Sequence, residues 1–168
     1  MKRLTMIRHA KSSWADPGQA DIDRPLNRRG KHDAPIMGRI LSEKGIVPDI
    51  IVCSPAKRAR MTATRIAAAL EYPRKAIREN RQIYDADLVE LAYVVRALDN
   101  AFGHVCLIGH NPSFEDFGRS LAETPVVRMP TCAVLHLEKE IDEWQHACDG
   151  VWRVVEFLYP KMFTDRDA

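Results

Sequence analysis

Three short runs that are apolar without alternation constrain this chain most: Leu4-Thr5-Met6-Ile7, Asp49-Ile50-Ile51-Val52-Cys53 and Val105-Cys106-Leu107-Ile108. A strand with one face in water alternates apolar and polar residues. A run that does not alternate must be covered on both faces, as parallel strands between helical layers are. Amphipathic stretches of helical period lie between the runs. Strands alternating with helices imply an α/β fold, a three-layer α/β/α sandwich with a mostly parallel central sheet. Two later runs, Ala133–Leu137 and Val151–Leu158, are more mixed and fit strands nearer a sheet edge.

The helices carry their own boundary signals. Asn27 is placed to cap a helix running to about Lys44 and ended by Gly45, with a kink expected at Pro35. Ser54 is placed to cap a second, with Pro55 at its first position, running to about Glu71. A third is expected from Asp87 to Asp99 and a fourth from Pro112 to Ala122. The polar stretch Lys11–Pro25 reads as a long loop after the first strand, and such loops are often functional.

At 168 residues the chain suits one domain spanning 1–168, fraying from about residue 160. Hydrophobic residues at 46% and charged residues at 29% exclude long disorder, collagen and a coiled coil as the main architecture. No apolar run approaches the ~20 residues of a membrane span. Met1–Arg8 is interrupted by charge too soon for a signal peptide, so a cytoplasmic protein is expected. The net charge of +2, from 25 basic and 23 acidic residues, gives no reason to expect nucleic acid or a membrane as partner. The 4 cysteines lack CxxC spacing, which argues against a zinc ribbon or a thioredoxin-type motif. Cys53 and Cys106 read as small buried hydrophobes. Nothing in the sequence demands a dimer, and a monomer is expected.

Ligands of open α/β sheets bind beyond the carboxyl ends of the strands. Those positions read Arg8-His9-Ala10-Lys11-Ser12-Ser13, Ser54-Pro55-Ala56-Lys57-Arg58 and Gly109-His110-Asn111-Pro112-Ser113. Two histidines, two arginines and two helix N-termini describe an anion site, because guanidinium forks and free helix N–H groups both match phosphate oxygens. Arg8, Arg58, His110 and the Asn111 N–H are the candidate phosphate ligands. Nearby positive charge favours a neutral imidazole, so His9 can attack phosphorus and carry a covalent phosphoryl group. A single histidine after a strand is more often an ordinary loop residue; three strand ends agreeing in chemistry is what carries the case. His32, His104, His136 and His146 take the structural reading.

A metal site built from the two histidines with Asp21, Asp23 or Asp85 is disfavoured, since Arg8 and Arg58 would repel the cation. No GxSxG elbow and no GxxxxGK[ST] loop occurs, which argues against a serine hydrolase and an ATP-consuming kinase. No metal and no cofactor is expected.

These motifs resemble the histidine phosphatase superfamily, the RHG or phosphoglycerate-mutase-like family. Arg8-His9-Ala10 looks like its nucleophile motif with Ala for the usual Gly. Ser54-Pro55-Ala56-Lys57-Arg58-Ala59-Arg60-Met61-Thr62-Ala63 matches its S-P-x-x-R-A-x-x-T-A helix start, and Gly109-His110-Asn111 its second-histidine motif. Within it, Arg8–Trp14, Asp21–Gly30 and Gly109–Ser113 are similar to the SixA-type branch of small phosphohistidine phosphatases. The resemblance implies that His9 is the phosphorylated nucleophile and that Arg8, Arg58 and His110 bind the phosphoryl group. It makes Asp21 the first candidate general acid, ahead of Glu79 and Asp85. It implies metal-independent hydrolysis of phosphohistidine on a protein, or else of a small phosphate ester. A phosphomutase and a non-catalytic phosphopeptide-binding module are the competing readings.

Overall fold

Over residues 1–164, which the computed structural model describes, six strands form one sheet. They are β1 (Lys2–Arg8), β2 (Ile50–Cys53), β3 (Arg78–Glu79), β4 (His104–Gly109), β5 (Val134–Lys139) and β6 (Arg153–Leu158). Their order is β3-β2-β4-β1-β5-β6. The first four of that order run parallel, whereas β5 and β6 are antiparallel to their neighbours. The mixed runs thus lie at one edge, as their composition implied. The two-residue β3 at the other edge has no sequence signature.

The helices are α1 (Arg28–Glu43), α2 (Lys57–Ala69), α3 (Leu88–Arg96), α4 (Ser113–Leu121) and the single turn α5 (Lys161–Thr164). The expected tail is therefore helical over 161–164, and the rest of it lies outside the described residues. Both faces of β1 are dry: Leu4 and Met6 join the core under α3 and α4, while Ile7 joins the core under α1 and α2. That double coverage is why the central strands do not alternate. Among the described residues no helix is long and apolar enough to cross a membrane.

Local signals set most boundaries. The Asn27 side chain accepts from the Gly30 N–H at 2.9 Å, and Gly45 at φ 69° follows the end of α1. The helix continues through Pro35 to Glu43. Asp87 and Glu90 close a capping box on α3. Ser54 departs from expectation. Helix α2 is preceded by Ala56 and starts at Lys57, because the Ser54 hydroxyl accepts from the Ala56 N–H at 3.2 Å in a tight turn outside the helix. Helix α4 likewise begins at Ser113, one residue past Pro112 and two past Asn111. All four cysteines are free thiols; Cys53, Cys106 and Cys132 are buried.

Candidate active site

The sheet order makes β2, β4 and β1 neighbours, so their carboxyl ends lie side by side. Arg8 pairs with Gly109 in register, the His9 N–H donates to the Gly109 carbonyl at 2.9 Å, and the Ser54 N–H donates to the Ile108 carbonyl at 3.0 Å. The His9 and His110 rings come to rest 5.2 Å apart between centroids.

Each side chain is held by the protein rather than left to solvent. His9 Nδ1 lies 2.7 Å from the Ala10 carbonyl oxygen. A carbonyl only accepts, so Nδ1 carries the proton and Nε2 keeps a bare lone pair. The turn after His9 is fastened to α2 through Thr62, whose hydroxyl donates to the Arg58 carbonyl at 2.7 Å and accepts from the Ala10 N–H at 3.0 Å. The Cys132 N–H lies 3.1 Å from both the Arg8 and His9 carbonyls, with Cys132 itself at φ 62°. A cysteine in the left-handed region costs roughly 1 kcal/mol or more, and it sits where the backbone of the candidate nucleophile is anchored.

Arg8 Nη1 donates to the Met129 carbonyl at 3.1 Å. Arg58 Nη1 donates to the Asp21 carbonyl at 2.7 Å, and its Nη2 to Asp21 Oδ2 at 3.1 Å. His110 Nε2 lies 2.7 Å from Ser54 Oγ. Arg8 Nε, Arg58 Nε and His110 Nδ1 are buried and have no hydrogen-bond partner. Buried polar atoms without partners are rare. Burial, with Arg58 and Arg8 adding to it, pushes His110 down to about 4. Burial, His110, Arg58 and Arg8 push His9 down to about 3 against its bond to Ala10. Both imidazoles are therefore neutral near pH 7.

Asp21 stands at a junction in the loop after β1. Its carboxylate accepts from Tyr84 Oη at 2.7 Å, from Arg58, and from Arg24 Nε at 3.1 Å. The Tyr84 hydrogen bond, joined by the arginines, holds it down at about 2 against the cost of burial. It is an ionised acceptor rather than a proton store. Arg24 also donates to Ser12 Oγ at 2.8 Å and lies 3.6 Å above the exposed Trp14 ring. Asn111 turns its Nδ2 to the Met129 carbonyl at 2.9 Å and leaves Oδ1 buried without a partner, so its side-chain donor is already engaged. Glu79, on the edge strand β3, pairs instead with Arg60 at 3.9 Å. Asp85 is exposed, at φ 56°.

The structure thus brings Arg8, His9, Arg58, His110 and Asp21 together, with Asn111 beside them. Sequence reasoning missed Tyr84, whose ring stands edge-on to His110 at 5.6 Å, and misread Ser54. No local pattern signals Tyr84, because its partner is 63 residues away. Ser54 could have been suspected as the polar residue closing an apolar strand next to two candidate ligands.

Comparisons with known proteins bear on the family and the fold. An uncharacterised chloroplastic protein of Arabidopsis thaliana is 26% identical over 95% of this chain and 78% of its own. An Agrobacterium tumefaciens structure assigned as the phosphohistidine phosphatase SixA superposes with a TM-score of 0.80 at 27% identity, over 95% of this chain and 98% of that one. The protein histidine phosphatase SixA complexed with tungstate superposes equally well, TM-score 0.80, over the same shares at 20% identity, a likeness of fold. Residues 4–93 match the model of the histidine phosphatase superfamily (branch 1), and with that match spanning more than half its length the chain belongs to this superfamily.

Proposed function

We propose that this chain is a phosphatase that takes a phosphoryl group onto His9 Nε2 and passes it to water, with phosphohistidine on a protein as its substrate. The observation that carries the reading is the fixed tautomer of His9: Nδ1–H is spent on the Ala10 carbonyl, and Nε2 is free beside two unpartnered guanidinium nitrogens.

The lone pair of His9 Nε2 attacks phosphorus, and the bond from phosphorus to the substrate nitrogen breaks with its electron pair. A substrate imidazole protonated on its second nitrogen departs neutral and needs no strong acid from the enzyme. Arg8 and Arg58 are anchored cations at this site, so charge on the equatorial oxygens is stabilised with little reorganisation. Water then attacks phosphorus, the Nε2–P bond breaks, its pair returns to His9, and both water protons leave with the released phosphate. The two guanidinium groups supply the charge that a metal ion supplies elsewhere and would repel one here. Asp21, ionised and tied to Arg58, positions that guanidinium in this reading and does not deliver a proton. The resemblance to a SixA-type protein supports phosphohistidine over a phosphate ester.

The test is phosphate release from a phosphohistidine-bearing protein in excess chelator, comparing wild type with His9→Ala. Release by wild type alone is expected. Equal release by the variant overturns the histidine nucleophile. Release abolished by chelator overturns the metal-free reading, and turnover of phosphate esters alone overturns the substrate.

A further inference from the structure

We propose that Ser54 is a positioning residue: its hydroxyl proton occupies His110 Nε2 and thereby fixes the ring proton of His110 on Nδ1. The inference rests on the phosphoryl-transfer reading for its purpose, but its geometry stands alone.

A hydroxyl has one proton and two lone pairs. Ser54 Oγ is fully buried and has two partners, the Ala56 N–H at 3.2 Å and His110 Nε2 at 2.7 Å. The amide can only donate, so Ser54 already accepts once. Two arrangements remain for a neutral His110. If the ring proton were on Nε2, Ser54 would accept twice, its own proton would have no acceptor, and His110 Nδ1 would be a bare lone pair buried without a donor. Two polar groups would then be stranded. If the ring proton is on Nδ1, the Ser54 hydroxyl donates to Nε2, all of Ser54 is satisfied, and only the Nδ1–H is left open. Stranding a buried polar group is costly, so the arrangement that strands one wins over the arrangement that strands two.

The sign of the remaining group completes the argument. Nδ1–H then joins Arg8 Nε–H and Arg58 Nε–H, giving three buried donors without partners. A lone pair at Nδ1 would instead repel any oxyanion placed among them. Neutral imidazole serves here because the proton it presents is fixed by its other nitrogen, without the cost of a third buried cation beside two guanidinium groups. The serine is also placed to do this by the chain itself: it ends β2 directly beside the end of β4, and the turn to α2 supplies the Ala56 N–H that fills its acceptor site.

The experiment is 15N spectroscopy of ring-labelled protein at pH 7, with the His110 signals identified by their loss in His110→Gln. The expected result in wild type is a protonated Nδ1 and an unprotonated Nε2; a proton on Nε2 overturns the proposal outright, whether or not any substrate is turned over. In Ser54→Ala the His110 proton should redistribute toward Nε2, and an unchanged tautomer in that variant also overturns it. Hydrolysis should fall in kcat by up to about a hundredfold with KM little changed, since one preorganised donor is weakened. Ser54→Thr, which keeps the hydroxyl, should restore the Nδ1–H signal. If Ser54→Ala does not fold, the wild-type spectrum decides alone. An inactive wild type that shows the expected tautomer overturns the phosphatase reading and leaves the assignment of His110 standing.

Discussion

Tyr84 donates its phenol proton to Asp21 at 2.7 Å, and the same carboxylate oxygen accepts from Arg58 at 3.1 Å. This arrangement separates two roles for Asp21. An acid would transfer a proton and matter more for poor leaving groups; a strap for Arg58 would matter equally for all. Asp21→Asn should therefore lower kcat/KM by a similar factor across substrates of differing leaving-group pKa. The side chain of Asp21 is 49% exposed, so the pair contributes about 1 kcal/mol, roughly a fivefold effect. A loss that grows steadily with leaving-group pKa would restore the general-acid role.

Removing the phenol tests the other half of the junction. The Tyr84 bond is the largest single reason that Asp21 sits near 2, and burial first, then Asp21, holds the Tyr84 phenol up at about 12. Tyr84→Phe should raise the Asp21 carboxyl toward its ordinary value, read by 13C titration of the side chain. An unmoved Asp21 would show that the arginines alone set its charge.

Arg58→Ala should cost about 3–4 kcal/mol of transition-state stabilisation, on the order of a few hundredfold in kcat. Arg58→Lys should not recover it. Arg58 spends both terminal nitrogens on Asp21 in a planar fork, and a single ammonium cannot reproduce that geometry while keeping its charge over the site. Full activity in the lysine variant would contradict the need for that fork.

Stability should fall on mild acidification. His9 is depressed to about 3, and His104 and His110 to about 4, chiefly by burial. The unfolded chain takes up these protons near pH 6.5 while the folded one refuses them. Between those values the unfolded state binds more protons, so stability rises with pH, by up to about 1.4 kcal/mol per pH unit for each proton. The urea midpoint should be level above pH 7 and drop between pH 6.5 and 4, with Asp21 adding a smaller loss only below about 3.8. A midpoint constant from pH 7.5 to 4.5 would contradict the burial of these rings.

Gly30→Ala runs against helix propensity. Alanine in a helix interior usually gains about 1 kcal/mol over glycine. Here a Cβ would stand 2.2 Å from the Lys11 carbonyl oxygen and 2.9 Å from its nitrogen, both backbone atoms. Destabilisation by about 1–3 kcal/mol is expected in urea, with a fall in turnover because Lys11 lies two residues after His9. A stabilised and fully active variant would show that the loop yields freely.

The layers and the motif positions were legible because they depend on neighbours in sequence. Non-alternating strands announce double coverage, and Asn27, Gly45 and Asp87 act on residues three or four away. What escaped depends on residues far apart. Ser54 has the chemistry of a helix cap and the position of one, and only the proximity of His110, 56 residues later, shows where its proton goes. Tyr84 and the two-residue β3 follow segments that carry no periodic signal. The charge on Asp21 was opaque for the same reason: its three donors, Arg24, Arg58 and Tyr84, stretch across much of the first half of the chain.

The sheet order has a kinetic consequence. Strands β2, β4 and β1 are adjacent, yet β4 lies about fifty residues after β2 and a hundred after β1, with Arg3 beside His104 and Ile50 beside Val105. Closing loops of that length comes late in folding, because entropy is lost before distant contacts repay it. A collapsed species holding β1, α1 and α2 would own His9 and Arg58 but neither His110 nor the Gly109 carbonyl that seats the His9 backbone. Recovery of turnover during refolding should accordingly lag the return of helical signal and coincide with the docking of β4, so that catalysis serves as a clock for a late step of assembly.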